Sequence, residues 1–475
     1  MHRPASRCRI VAVFFKYGVL ASWLSLLVPS ALSSEKDQLK AKLEELERRL
    51  EALEAQKSTE KVATPPPSPA PATHSEELQE LRRQLDILAA EVELIRSGEP
   101  LIEVTEEEEQ AKGLGPAAAS VYRRQEGVSI AGYGEMLYSN FVAENELGDP
   151  VRRATQLDFL RAIIYAGYRF NDRFLFNSEI EFEHASTSLE GSASVEFAYL
   201  DFIANDHLTL RGGLLLVPMG LVNELHDPTV FMGALRPETE RRIIPSTWRE
   251  NGVGAVGSVG IFDYRVYLIN GLQGSRFSSN GFRRGRQKGS KTVATDMAVV
   301  ARLDVNPTPG VFFGGSIYNG ASDQGALFDG SELDVGTTIG ELHGQAQLRG
   351  FDLRGLYAWS HLEDVIRLNQ SLGLTGSDSI GESLEGGYLQ IGYNLLSQIR
   401  ADIRVMPYYR YEILDTQKVV PSDFFKNPNR DRTFQTLGLE FKPIPNIVIK
   451  SDFVWNRNKA RTGVNQVNVA LGYNF

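Results

Sequence analysis

Apolar and polar positions alternate with a period of two from about Gly127 to the last residue, Phe475. That is the spacing of strands whose two faces meet different surroundings. In residues 174–184, Phe174, Phe176, Ile180 and Phe182 fall on one face and Asn177, Glu179, Glu181 and Glu183 on the other. In residues 401–413, Ile403, Val405, Tyr409 and Tyr411 oppose Asp402, Arg404, Arg410 and Glu412. Residues 341–349 set Leu342, Gly344, Ala346 and Leu348 against Glu341, His343, Gln345, Gln347 and Arg349. The pattern predicts sixteen strands, starting near residues 127, 154, 171, 192, 207, 251, 262, 293, 310, 336, 350, 383, 401, 431, 446 and 463.

The connections alternate in length. Residues 142–153 are long, Asn171-Asp172 tight, 187–191 moderate, Asn205-Asp206 tight and 218–250 very long. Tight turns are expected at Phe262-Asp263, 306–310, Gly350 and 443–446, against long loops at 271–292, 321–335, 361–382 and 414–430. Short turns at one end and long loops at the other belong to an up-and-down barrel that crosses a membrane. A soluble sandwich has the same period, with its apolar face inward. Three features favour the barrel: an N-terminal leader, the alternation of connections, and a last strand whose Val467, Val469, Leu471, Tyr473 and Phe475 share one face. Closure also pairs every backbone group in lipid, where an open sheet leaves two edges bare.

The first 126 residues carry a different pattern. Leu39, Leu43, Leu46, Leu50 and Leu53 alternate spacings of four and three, and Leu78, Leu81, Leu85 and Leu88 repeat the rhythm, continued by Val92 and Ile95. A two-in-seven apolar seam predicts a self-associating coiled coil, without fixing the oligomer number. Prolines between the seams break the helix. Ahead of them, Arg3, Arg7, Arg9 and Lys16 precede the short apolar run Tyr17–Val28 and small residues at Ala31 and Ser33, the form of a secretory signal. The expected organisation is a signal peptide at 1–33, coiled coil at 34–60, Pro-rich linker at 61–75, coiled coil at 76–97, acidic solvated linker at 98–126 and barrel at 127–475. The fold class is thus an all-β transmembrane barrel of about sixteen antiparallel strands, preceded by an N-terminal α-helical coiled coil.

Composition sharpens this reading at three points. The chain of 475 residues is 42% hydrophobic with a net charge of -10, too polar on average for a helical membrane protein. The averaging hides an apolar face, and the charge is too ordinary for a nucleic-acid binder. Residues 127–475 hold 33 basic against 39 acidic residues, so net charge cannot set an ion preference there. The single cysteine, Cys8, falls within the expected leader, which leaves no thiol for a disulfide or a metal site. No metal-ligand motif or nucleophile motif is present; the chain reads as a non-enzyme without cofactor or metal.

Candidate chemistry lies in arginines. The fifth connection, 218–250, carries Arg236, Arg241, Arg242 and Arg249 among Glu224, Asp227, Glu238, Glu240 and Glu250. Two readings stand: guanidiniums facing a pore and attracting anions, or guanidiniums paired with the neighbouring acids. The next long loop holds Arg276, Arg283, Arg284, Arg286, Lys288 and Lys291 with no acid between Gly271 and Thr292. It reads as an external loop that steers anions, binds lipopolysaccharide phosphates, or is simply solvated. By parity Arg161, Arg169, Arg211, Arg302, Arg354, Arg404 and Arg410 point into the lumen, together with Glu179, Glu181, Glu183, Asp201, Asp304, Asp352 and Asp452.

With these residues in view, the leader, the coiled coil, the long fifth connection and the stretch GGLLLVPMGLVNE (212–224) resemble the phosphate-selective porin O/P family and related trimeric porins. Tyr473 and Phe475 resemble the C-terminal signal read by the barrel-assembly machinery of outer-membrane proteins. The resemblance implies a homotrimer in the outer membrane among lipid and lipopolysaccharide, with the coiled coil in the periplasm, passing small anionic solutes by diffusion. It implies a constriction role for Arg236, Arg241 and Arg242 by loop position. A second reading makes the protein a tether whose coiled coil links the barrel to peptidoglycan.

Overall fold

The computed structural model describes residues 113–124, 126–185, 191–399 and 403–475. The expected signal peptide, both leucine seams and the Pro-rich linker lie outside the described residues. Sixteen long strands form the barrel: β1 Gly127–Phe141, β2 Gln156–Arg169, β3 Phe174–Glu183, β4 Ala193–Asn205, β5 Leu208–Leu216, β6 Arg249–Val259, β7 Phe262–Asn270 and β8 Met297–Thr308, then β9 Val311–Ala321, β10 Gly336–Leu348, β11 Phe351–Leu362, β12 Ser383–Tyr393, β13 Arg404–Val419, β14 Asp431–Ile444, β15 Ile447–Asn458 and β16 Gln466–Asn474. Each starts within four residues of its predicted position. A two-stranded ribbon at Leu327–Phe328 and Ser331–Glu332 decorates the loop after β9.

Every strand pairs with its sequence neighbours, and β1 closes the ring on β16 in the register Tyr133↔Asn474 to Phe141↔Gln466. No edge remains, so the backbone is satisfied without water. Turns at 170–173, 206–207, 260–261, 309–310, 349–350 and 445–446 gather at one end, and the long connections at the other. Phe262 and Asp263, expected in a turn, already pair within β7 because the bend falls at Gly260, which holds φ +61°.

Alternate residues point out as parity requires. Leu157, Leu342, Leu389 and Leu437 are exposed on the outer wall, while Glu179, Asp201, Glu341 and Glu412 on the inner wall are buried. Aromatics crowd the outer face at the tight-turn end: Tyr168 packs on Phe170, Phe174 on Phe202 and Phe351 on Tyr393, with centroids 4.7–4.9 Å apart. Phe159, Phe182 and Trp359 lie exposed toward the long-loop end. An apolar belt between two aromatic girdles is the outer surface of a barrel in lipid, where ring edges favour the interface. Val467, Val469, Leu471, Tyr473 and Phe475 belong to this belt, as expected, and Phe475 exchanges two backbone hydrogen bonds with Gly132 at 2.9 Å.

The lumen is filled from three directions. The connection 217–248 turns inward and buries Met219, Ile243, Ile244 and Trp248 completely. The loop 271–296 also turns inward, burying Leu272, Phe277 and Phe282. At the tight-turn end, residues 113–124 line the inner wall. Ala118, Ala119 and Val121 are buried there, and Asn177 Nδ2 donates to the Ala118 carbonyl at 2.9 Å. The solvated linker expected over 98–126 therefore does not extend through its last part, whose apolar run Ala117–Tyr122 finds a partner in the inner faces of β1 to β3.

Candidate functional site

The inward connection 217–248 is held by strands from all around the ring. After β5, Asn223 takes the Trp248 amide on Oδ1 (2.6 Å) and donates to the Val217 and Trp248 carbonyls, pinching the root of the loop shut. Across the lumen, Lys450 of β15 donates to the carbonyls of Phe231 (2.6 Å) and Gly233 (3.1 Å). Asp452 accepts from the Ala234 amide at 2.8 Å, and Arg354 donates to the Val230 carbonyl at 2.9 Å. The short helix α1, Glu238–Arg242, docks against β12 and β13: Glu412 accepts from the Thr239 amide (2.6 Å), and Glu240 takes the Tyr388 hydroxyl (2.6 Å) and the Val222 amide (2.7 Å). Burial lifts the Glu240 carboxyl to about 7, against these two donors.

Arg241 and Arg242 both pair with a neighbouring acid and face the lumen. Arg241 and Arg242 share Glu238, Arg242 at 2.8 Å, and the two guanidiniums overcome its burial to hold that carboxyl at about 2. Yet both also line a cavity of about 440 Å³ between the loop and the far wall. Arg153, Arg236, Arg410, Arg430 and Arg432 complete its basic lining, against Glu238 and Glu412 alone. Arg236 reaches Thr247 Oγ1 at 2.7 Å and leaves Nε and Nη2 without partners. Arg249 is a different case: it opens β6 and pairs with Glu196 at 2.9 Å, so it belongs to the wall and not to the loop.

The basic loop expected outside is folded over this site. Phe282 donates its amide to the Arg242 carbonyl at 3.0 Å, Ser279 accepts from Thr416 of β13 at 2.7 Å, and Arg430 reaches Ser279 Oγ at 3.2 Å. Arg286 is buried on the carbonyls of Thr247 and Arg283; Arg284 and Lys288 are exposed. Burial and the guanidiniums of Arg286, Arg241, Arg236 and Arg242 push Arg283 down to about 8. Arg249, Arg283, Arg286 and Lys288 line a second cavity of about 480 Å³ opposite Glu181, Glu183 and Glu196. The solvated reading fails because Phe277 and Phe282, in tilted contact with centroids 4.8 Å apart, carry the loop inward.

Five of the wall arginines face the lumen as parity requires, but in ion pairs, while Arg169 donates to the turn carbonyls of Asn171 and Asp172. Arg161 lies 3.2 Å from Glu135, Arg211 holds Asp201 in a fork (2.8 and 3.0 Å), Arg302 meets Asp304 at 2.8 Å, and Arg354 and Arg404 share Asp352. Such pairs brace the wall and leave little net charge for a solute. The residues that sequence reasoning left out of this basic cavity lining are Arg153, Arg410, Arg430 and Arg432. Parity already placed Arg410 inward; Arg430 and Arg432 come from the loop and strand start opposite α1, a juxtaposition set by closure alone.

A closed antiparallel barrel of sixteen strands with an apolar belt and a charged, loop-filled lumen defines the class as a transmembrane β-barrel. The chain belongs to one family with an uncharacterized protein of Aquifex aeolicus (strain VF5), which is 35% identical over 358 residues, 72% of this chain and 78% of that protein. No family model matches the sequence. Among solved structures, Vibrio cholerae OmpT in its trimer form and the anion-selective porin from Comamonas acidovorans are each 12% identical, cover 74% of this chain and 100% of theirs, and superpose with a TM-score of 0.47. Salmonella typhi OmpF in complex with daunomycin is 11% identical over 74% of this chain and 98% of its own, with a TM-score of 0.48.

Proposed function

We propose that the protein is an outer-membrane porin through which small hydrophilic anions diffuse, their passage governed at the cavity beside α1. The observation that carries this is the imbalance of seven arginines against two acids around that cavity, while Arg161, Arg211, Arg302, Arg354 and Arg404 of the wall are neutralised elsewhere. A guanidinium offers a planar pair of donors to a carboxylate or phosphate, and in a low-dielectric surround its attraction is screened less than in bulk water. Phosphate is the finer reading, in keeping with the resemblance of residues 212–224.

Planar-bilayer recording of the refolded protein tests the proposal. Wild type should give discrete channel steps and an anion-side reversal potential in a salt gradient; replacing Arg241 and Arg242 together with Ala should move that potential toward zero. Absence of steps overturns the porin reading, and an unmoved potential overturns the role of α1. Phosphate on one side should depress the chloride current if it is held in the cavity.

The leucine seams are proposed to join three copies in the periplasm, with Tyr473 and Phe475 presented to the assembly machinery. Deleting residues 34–97 should shift the mass of the detergent complex from trimer toward monomer. An undiminished trimer assigns assembly to the barrel walls.

A further inference from the structure

We infer that His226, Glu179 and Glu196 form a site for one divalent first-row transition metal ion, which clips the root of the constriction loop to β3 and β4. His226 Nδ1 lies 2.9 Å from the carbonyl of Asn223, an acceptor only, so the imidazole carries its proton there and turns the Nε2 lone pair the other way. That lone pair faces two carboxylate oxygens, Glu179 Oε1 and Glu196 Oε2, each at 3.2 Å. All three donor atoms lie within 4.8 Å of one another, and the three residues are at most 2% exposed.

Three lone pairs converging in a dry pocket need positive charge between them. A second proton on Nε2 supplies some, but one N–H shared between two oxygens makes two weak bonds, and both separations exceed the roughly 2.7–2.9 Å of a charge-assisted bond. Both are close to the donor-to-donor edge of about 3.3 Å in a tetrahedral site with bonds of about 2.0 Å, and the two carboxylate oxygens, within 4.8 Å of each other, would close in on a bound ion. Independent of the triad, two further buried groups beside it lack partners: Asp227 Oδ2 and the hydroxyl of Tyr133, whose ring stands edge-on to His226 at 6.3 Å.

The charge count agrees. Arg161 lies between Glu135 and Glu181, and Arg249 holds the other oxygen of Glu196 at 2.9 Å. With Arg236 and Arg286 beside them, four guanidiniums face five carboxylates, so a neutral imidazole leaves the pocket short of positive charge. An imidazole with carboxylates suits zinc or manganese, and the nitrogen ligand disfavours calcium and magnesium. The backbone bond to Nδ1 is the outer-shell partner that orients a metal-bound histidine.

The test does not rest on the porin reading, because its readout is bound metal. Full-length protein, refolded in detergent with chelator and then exposed to Zn²⁺ and desalted, should retain one ion per chain by mass spectrometry. His226→Gln and Glu179→Gln, checked for heat-shifted migration of the folded barrel, should each weaken retention by more than the roughly 10–100-fold that losing an outer-shell partner costs. Where a variant does not fold, Co²⁺ on wild type decides: visible d–d bands of a low-coordinate nitrogen and oxygen site support the proposal, and their absence overturns it. No retained zinc, or equal retention in wild type and both folded variants, also overturns it.

Discussion

Glu240 has no exposed surface, accepts from Tyr388 and Val222, and lies near Glu341 and His343. Its carboxyl stands near 7 with the loop docked and near 4.5 when released. An acid raised on docking favours the docked state fully below pH 4.5 and loses that advantage as pH climbs through 7. Loop docking should therefore weaken by ~3 kcal/mol between pH 4 and pH 8, at about 1.4 kcal/mol per pKa unit. Glu240→Gln keeps an acceptor for the Val222 amide and turns an amide donor toward the Tyr388 oxygen in place of accepting its hydroxyl, so it should flatten the pH dependence. Hydrogen exchange of amides 217–248 at the two pH values measures both; identical protection of wild type at pH 4 and pH 8 refutes the assignment. The carboxyl could be named from sequence but not its burial, because the helix that carries it meets Tyr388 nearly 150 residues away.

At the scale of elements, the two inward loops meet at Gly281. It holds φ +104°, and a Cβ there would strike the Arg242 carbonyl. Gly281→Val should therefore unseat the 271–296 loop, with a backbone strain of about 1–3 kcal/mol before the clash is counted. The expected result is faster exchange at 277–286 and larger channel steps, with the barrel fold intact; unchanged exchange would show that the contact does not hold the loop. The strands were legible because period two is local and both faces are stringent: lipid outside, ion pairs inside. The destinations of the loops were not. A run of six basic residues without an acid reads as solvated, yet Phe277 and Phe282 in its midst were the available sign that it packs. The same holds for the apolar Ala117–Tyr122, overshadowed by the acidic run before it. The triad of His226, Glu179 and Glu196 had no motif to find, because sheet pairing and loop infolding bring its members together.

For the whole molecule, net charge and local charge make opposite forecasts. Residues 127–475 are net acidic, which by itself favours cations near the mouths, whereas the cavity beside α1 favours anions. Ionic strength separates the two sources. The screening length is about 10 Å at 0.1 M salt and about 3 Å at 1 M, so a field from exposed surface charge collapses over that range. Guanidiniums lining a narrow cavity act on an ion within a few ångströms, where little electrolyte intervenes, and their effect persists. If selectivity arises at the constriction, the anion-side reversal potential measured under equal activity ratios should survive from 0.1 M to 1 M salt with only a modest decline. It should also fall toward zero in the Arg241→Ala, Arg242→Ala variant at both concentrations. A preference that is cationic at 0.1 M and disappears at 1 M would place control in the surface charge instead, and would make the arginine cavity a structural clamp between two loops.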